Sequence, residues 1–361
     1  MSGYEVYQGT RPVAEAHRFD EAALARYLHE RIAGFSGPLT VEQFKGGQSN
    51  PTFRLRAGGR SYVMRRKPPG KLLPSAHAVD REYRVITALG RTDVPVPKTY
   101  TLCTDESVIG SMFYVMQDVE GRVLWDPTLP DMQPSQRRAH FEELNRVIAA
   151  LHRVDYAAVG LSDYGKPGNY FSRQIDRWSK QYRASETERI AAMDALIEWL
   201  PRNIPAGDDT SIVHGDYRLD NVIFHPAEPR ILAVLDWELS TLGHPLADFA
   251  YHAMAWRLSS NEFRGLRDCD FAALGIPDER EYLELYLRRT ARPHPSARDW
   301  EFCIVFNLFR AAAIFQGVMA RAVAGNAASA QAVETGRKAR PTAEFAWGLV
   351  EALEREPTKG T

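Results

Sequence analysis

The chain has 361 residues, 44% of them apolar and 25% charged, with a formal net charge of -1. This is an ordinary globular composition with length enough for two lobes, and it lacks the global field that would draw nucleic acid or an anionic membrane. The three cysteines, Cys103, Cys269 and Cys303, lie far apart, which excludes a C-x-x-C zinc framework and a complete disulfide framework and predicts a reducing, cytoplasmic setting. The N-terminal MSGYEVYQGTRPV has no charged-then-apolar signal profile. No apolar run is expected to approach the roughly 18 residues that span a bilayer, so no membrane partner is predicted.

In chain order, FDEAALARYLHERIAGF (19–35) has the spacing of an amphipathic helix. A strand is predicted over 39–44, and alternating segments around 52–56 and 61–66 flank Ala57-Gly58-Gly59-Arg60 as a hairpin. A second helix is predicted over 73–90, where Val79, Tyr83, Ile86 and Leu89 share a face with Glu82. A carboxylate on an apolar face needs a partner. Segments 94–105 and 110–121 read as another strand pair. Beyond Gly121 helices are predicted near 135–153, 170–185, 187–200, 245–258, 279–289, 300–324 and 341–355, interrupted by a β-like island over 212–237. Strands first and helices later predict an α+β chain, with a small β-rich N-terminal lobe (1–117) and a larger, mainly helical C-terminal lobe (118–361).

The island holds the chemistry. In VHGDYRLDNVIFHP, His214 is followed by Asp216 and then Asn221, and Asp236 ends the apolar run ILAVL. Phosphoryl transfer needs this inventory: a carboxylate that takes the proton of an attacking hydroxyl, and an amide and a second carboxylate as hard oxygen ligands for Mg²⁺. Each residue alone is also an ordinary turn former; their order favours the functional reading.

These motifs resemble the aminoglycoside phosphotransferase family, which has a two-lobed protein-kinase-like fold. The kinase H-R-D-x-x-x-x-N appears here as HGDYRLDN and D-F-G as Asp236-Trp237-Glu238. The resemblance implies ATP and Mg²⁺ as cofactors, Asp216 as catalytic base, and Asn221 and Asp236 as metal ligands. It puts Tyr62-Val63-Met64-Arg65 on the strand that usually carries a phosphate-binding lysine, with Arg65 in its place and Glu82 as partner; Arg66 and Lys67 are substitutes if the register slips. It puts Lys45-Gly46-Gly47-Gln48-Ser49-Asn50 over the phosphates, with Gly47, Ser49 and Asn50 as contacts, and makes Met116, Gln117 and Val119 the adenine-binding hinge. Arg218 is within reach of the transferred phosphate, and Asp248, in LGHPLADFAY, is expected to brace the catalytic loop, as is His214. His225 and His244 read as turn residues. Glu238 stays open between metal and local structure.

The runs YVMRRKPPGKLLPSAHAVDREYRVI, GDYRLDNVIF and LDWELSTLGHPLADFAY are further similar to the kinase-like domains associated with acyl-CoA dehydrogenases. That similarity implies a hydroxyacyl-CoA or hydroxy acid acceptor, with a CoA thioester and an acyl-CoA dehydrogenase as functional partners. The alternatives are an aminoglycoside or choline-like acceptor, a nucleotide-binding pseudokinase module, and a non-catalytic CoA-binding scaffold. Asn307, Arg310, Gly317 and Arg321 fall on roughly one face of the 300–324 helix. They read either as the solvent edge of a core helix or as an acceptor-site wall.

Overall fold

The computed structural model describes residues 9–45, 50–68, 78–260, 264–325 and 332–355. The chain divides into two compact units. The first comprises Met1–Trp125, Asp155–Tyr164 and Arg218–Ser240, and the second Asp126–Val154, Gly165–Tyr217 and Thr241–Thr361. This differs from the single break expected after Gln117. The first unit reclaims the 218–240 stretch, so Asn221 and Asp236 pack with the N-terminal sheet and Asp216 with the helices.

The first unit is built on an antiparallel sheet of six strands: β1 (Thr10–Arg11), β2 (Thr40–Phe44), β3 (Thr52–Ala57), β4 (Arg60–Arg66), β5 (Thr99–Cys103) and β6 (Phe113–Gln117), in spatial order β1-β2-β3-β4-β6-β5. The β3–β4 hairpin turns on Gly58 and Gly59, whose φ angles of 56° and 73° suit a tight two-residue connection. A Cβ on Gly58 would lie 2.6 Å from the Ser36 carbonyl oxygen. Gly58→Ala is therefore expected to destabilise this unit by about 2 kcal/mol, read as a lower urea midpoint at unchanged slope. Alternation along the strands sends Phe53, Leu55, Tyr62, Met64, Phe113 and Val115 to one face, where they pack on Leu24 and Leu28 of helix α1 (Glu21–Arg31). The residues between them face the other way. Among these, Arg65 of β4 stands directly opposite Tyr114 of β6, and helix α2 (Val79–Leu89) packs against β5, β6 and the turn Trp237–Leu239.

The second unit is helical: α3 (Pro134–His152), α4 (Tyr170–Ala184), α5 (Ala191–Trp199), α6 (Pro245–Ala253), α7 (Phe271–Leu274), α8 (Glu279–Thr290), α9 (Ala297–Val323), α10 (Ala332–Gly336) and α11 (Ala339–Arg355). Two short strands, β7 (Ser211–Val213) and β10 (Thr241–Gly243), pair antiparallel within it, while β8 (Val222–Phe224) and β9 (Ile231–Val234) form a hairpin in the first unit. Helix α9 corrects one expectation. It is long and apolar enough to cross a membrane, but 83% of its most apolar window is buried inside the protein, where it packs on α4, α6 and α11. Its run CIVFNLF lacks charge because it is core on nearly every side.

His152 and His252 of this unit are buried and His244 is half-buried. Burial pushes His244 and His252 down to about 4 and lowers His152 as well. Such histidines bind protons more readily once unfolded, so stability is complete above pH 6.5 and declines as the pH falls toward 4. Urea melts across that window are expected to lose roughly 3 kcal/mol for each of His244 and His252, and His252→Phe should flatten the slope.

Candidate active site

In the first unit the site is organised by one buried cation. Arg65 is 9% exposed and Glu82 1%. The guanidinium Nε stands 3.1 Å from Glu82 Oε2, while Nη2 donates to Asp236 Oδ1 at 2.6 Å and lies 3.5 Å from Glu238 Oε2. Burial works against the charge on Arg65, but the neighbouring Glu82 and Asp236 carboxylates outweigh it and hold the guanidinium well above its usual range. The odd carboxylate on the apolar face of α2 thus has its partner. The register is the expected one: Arg66 sits on the opposite face of β4 with its guanidinium 5.3 Å over the Phe19 ring, so it cannot substitute for Arg65. Lys67 is tied by its backbone to the Met112 carbonyl.

Two further groups donate to Glu82. Asn50 Nδ2 donates to Glu82 Oε1 at 2.9 Å and Tyr114 Oη to Glu82 Oε2 at 3.2 Å. Asn50 is fully buried, so its amide supports the carboxylate rather than facing a phosphate as expected. Gly47 and Ser49 lie outside the described residues. At the hinge, Met116 is 8% exposed within β6, and the Gln117 N–H is already bonded to the Lys98 carbonyl at 2.8 Å. The Gln117 amide is thereby excluded as an adenine donor. Asp118 is pinned by Arg54 Nε at 2.8 Å and Ser61 Oγ at 2.6 Å, and Val119 follows, half-buried.

Asn221 and Asp236 are brought together by the β8–β9 hairpin. Val222 pairs with Val234, and the Leu235 N–H bonds the Asn221 carbonyl at 2.8 Å, so Asn221 lies beside the residue preceding Asp236. Asp236 adopts φ 64° and ψ 60°, a left-handed conformation costly for a residue with a side chain and typical of functional positions. An amide oxygen and a carboxylate are hard donors suited to Mg²⁺, which takes few protein ligands and completes its shell with phosphate and water. Arg218 is half-buried, its guanidinium 3.6 Å from Asp220.

The second unit holds the catalytic loop. It leaves β7 at His214 and turns at Gly215, whose φ of 83° favours glycine. Asp248, at the start of α6, accepts the His214 N–H and the Gly215 N–H, both at 2.7 Å, and lies 3.1 Å from His152 Nε2. Burial pushes the Asp248 carboxyl up, but its bonds to His152 and the His214 backbone outweigh that and keep it below the usual carboxylate range. Asp248 therefore braces the loop as expected, and the buried His214 shares that task through the Asp216 N–H, which bonds its Nδ1 at 3.1 Å. His244 is no simple turn residue, since its ring packs 4.9 Å from Phe171. Tyr251 Oη donates to Asp216 Oδ1 at 2.5 Å. Arg310 Nη2 donates to the Gly215 carbonyl at 2.6 Å. Arg310 and Arg321 part company, the first buried and the second exposed.

Sequence reasoning missed Tyr251, His152, Tyr114 and the hydrogen bond from Asn50 to Glu82. Tyr251 was findable, because it follows Asp248 by three residues and so shares its helix face. The others meet their partners across long sequence separations and leave no local pattern.

The sequence profile of the phosphotransferase enzyme family matches residues 40–286. Acyl-CoA dehydrogenase family member 10 of Mus musculus is 46% identical over 353 residues; the match takes in 96% of this chain but 33% of that protein, so the chain spans about a third of its length. A crystal structure from Ralstonia eutropha, provisionally assigned as an aminoglycoside phosphotransferase, is 59% identical with a TM-score of 0.86, covering 93% of this chain and 99% of that one. A thermostable mutant of aminoglycoside phosphotransferase APH(4)-Ia, solved as a ternary complex with ADP and hygromycin B, shares the fold at 16% identity and a TM-score of 0.58, covering 94% of this chain and all of that one. On residues, fold and family profile together, the chain belongs to the phosphotransferase enzyme family, APH, with its kinase-like architecture of a β-sheet lobe and a helical lobe.

Proposed function

We propose that the protein transfers the γ-phosphoryl group of Mg-ATP to a small-molecule hydroxyl, and that the acceptor is a hydroxyacyl-CoA or a related hydroxy acid. The observation that carries the reaction class is Asp216, a carboxylate at the end of a braced loop with one oxygen held by Tyr251. Asp216 takes the proton of the acceptor hydroxyl. The hydroxyl oxygen forms the new bond to γ-phosphorus, the bond to the β–γ bridging oxygen breaks, and ADP leaves with that electron pair. Arg65 holds nucleotide phosphates, and Asn221 and Asp236 hold Mg²⁺, which neutralises charge on the phosphates when bound. Arg218 is assigned to the transferred phosphate, and the hinge backbone around Asp118 and Val119 to adenine.

Nucleotide use is supported by the ADP in the complex of similar fold. The acyl acceptor is supported by the acyl-CoA dehydrogenase family name of the mouse relative. A functional link to such a dehydrogenase, in the cytoplasm, belongs to the same reading. Metal dependence gives a direct test. Chelation should abolish ADP formation, and Asp236→Asn should raise the Mg²⁺ concentration needed for half-maximal rate by about 10- to 100-fold. An unchanged Mg²⁺ requirement in that variant contradicts the assignment.

A further inference from the structure

Arg310 has an environment that a loop brace alone does not account for. It is 6% exposed, and among the described residues its one hydrogen bond is to the neutral Gly215 carbonyl. The guanidinium lies 5.0 Å from the centre of the Tyr251 ring and 5.5 Å from that of the Trp178 ring, and among the described residues it forms no ion pair with a carboxylate. Its Nε is buried without an acceptor, and so is the Trp178 indole Nε1. A buried cation without an anion is costly, and so is each orphaned donor. Both costs fall beside the catalytic base: Gly215 precedes Asp216, and the Tyr251 whose ring lies under Arg310 also holds the Asp216 carboxylate.

We propose that Arg310, with Trp178 beside it, is the acceptor subsite for the acyl oxygen of the substrate, either a carboxylate or a thioester carbonyl, and that this contact places the neighbouring hydroxyl at Asp216. The inference rests on the acyl reading of the acceptor and deepens it. An acyl oxygen supplies the missing acceptor, and the fixed positive charge disfavours cationic amino alcohols. The phosphates of a CoA carrier are too far from the acyl hydroxyl to serve here, so the group recognised is the acyl oxygen itself.

The test is steady-state transfer from Mg-ATP to hydroxybutyryl-CoA, free hydroxybutyrate and butanediol, which keeps the hydroxyl but lacks the acyl oxygen. Arg310→Gln removes the charge and shortens the side chain, so that it loses the Gly215 carbonyl as well, Arg310→Lys retains the charge, and Trp178→Phe retains an aromatic ring while removing the N–H. Arg310→Gln should raise the KM of the acyl acceptor about 10- to 100-fold more than that of butanediol. Arg310→Lys should restore part of the loss. A larger effect on the free acid than on the thioester identifies a carboxylate, and the reverse a thioester carbonyl. Equal losses on acyl acceptors and butanediol would make Arg310 a brace only and overturn the subsite while leaving the acyl reading intact. Wild-type protein that phosphorylates choline and none of the acyl compounds overturns both.

Discussion

Asp216→Asn is expected to lower turnover by about 10²- to 10⁴-fold while leaving ATP affinity essentially unchanged. The amide is nearly isosteric with the carboxylate and can still accept the Tyr251 hydroxyl proton, so the bond that holds the side chain survives. What disappears is the capacity to take the hydroxyl proton. The loop itself is held from elsewhere, by Asp248 through the His214 and Gly215 N–H groups, so folding should be spared. Steady-state kinetics with a parallel nucleotide-binding titration separates the two effects. Loss of binding together with turnover would mean that Asp216 supports structure instead of chemistry.

Arg65→Ala is expected to act on stability and nucleotide together. It leaves Glu82, 1% exposed, with Asn50 and Tyr114 as donors but, among the described residues, no paired cation. Breaking a buried pair from one side costs about 3–5 kcal/mol. The same change removes the cation assigned to the phosphates, so ATP affinity should fall along with the urea midpoint. Arg65→Lys tests the geometry. It keeps a charge near Glu82 but not the planar fork that reaches Glu82 and Asp236 at once, so it should recover stability better than nucleotide binding. Arg65→Ala with an unchanged midpoint would contradict this account of the pair.

The pairing of Arg65 with Glu82 was legible because a charge on an apolar helix face is costly and a strand arginine nearby could meet that cost. The order Asp216, Asn221, Asp236 was legible because one loop and one strand end carry all three. The lobes were legible in outline, since alternation of period two gives way to helical spacing soon after Gly121. Their membership was not: the β8–β9 hairpin returns to the first unit, through contacts such as Val234 N–H to the Pro95 carbonyl at 2.9 Å, which no local pattern encodes. Asn50 was assigned to phosphate because it ends a glycine-rich loop, yet its side chain is buried and bonded to Glu82, a contact no local pattern encodes. Helix α9 was underestimated as an apolar segment because its charged residues break the run in sequence while most of its surface is core.

The most direct test of the central claim is mass spectrometry of the products formed from Mg-ATP and a panel of hydroxyacyl-CoAs, free hydroxy acids, choline and an aminoglycoside, with Asp216→Asn as control. The account predicts a phosphorylated hydroxyacyl-CoA or hydroxy acid that is absent in the control. Phosphate appearing only on choline or the aminoglycoside would contradict the acyl acceptor, and tight ATP binding with no phosphorylated product from any compound would contradict the catalytic reading itself.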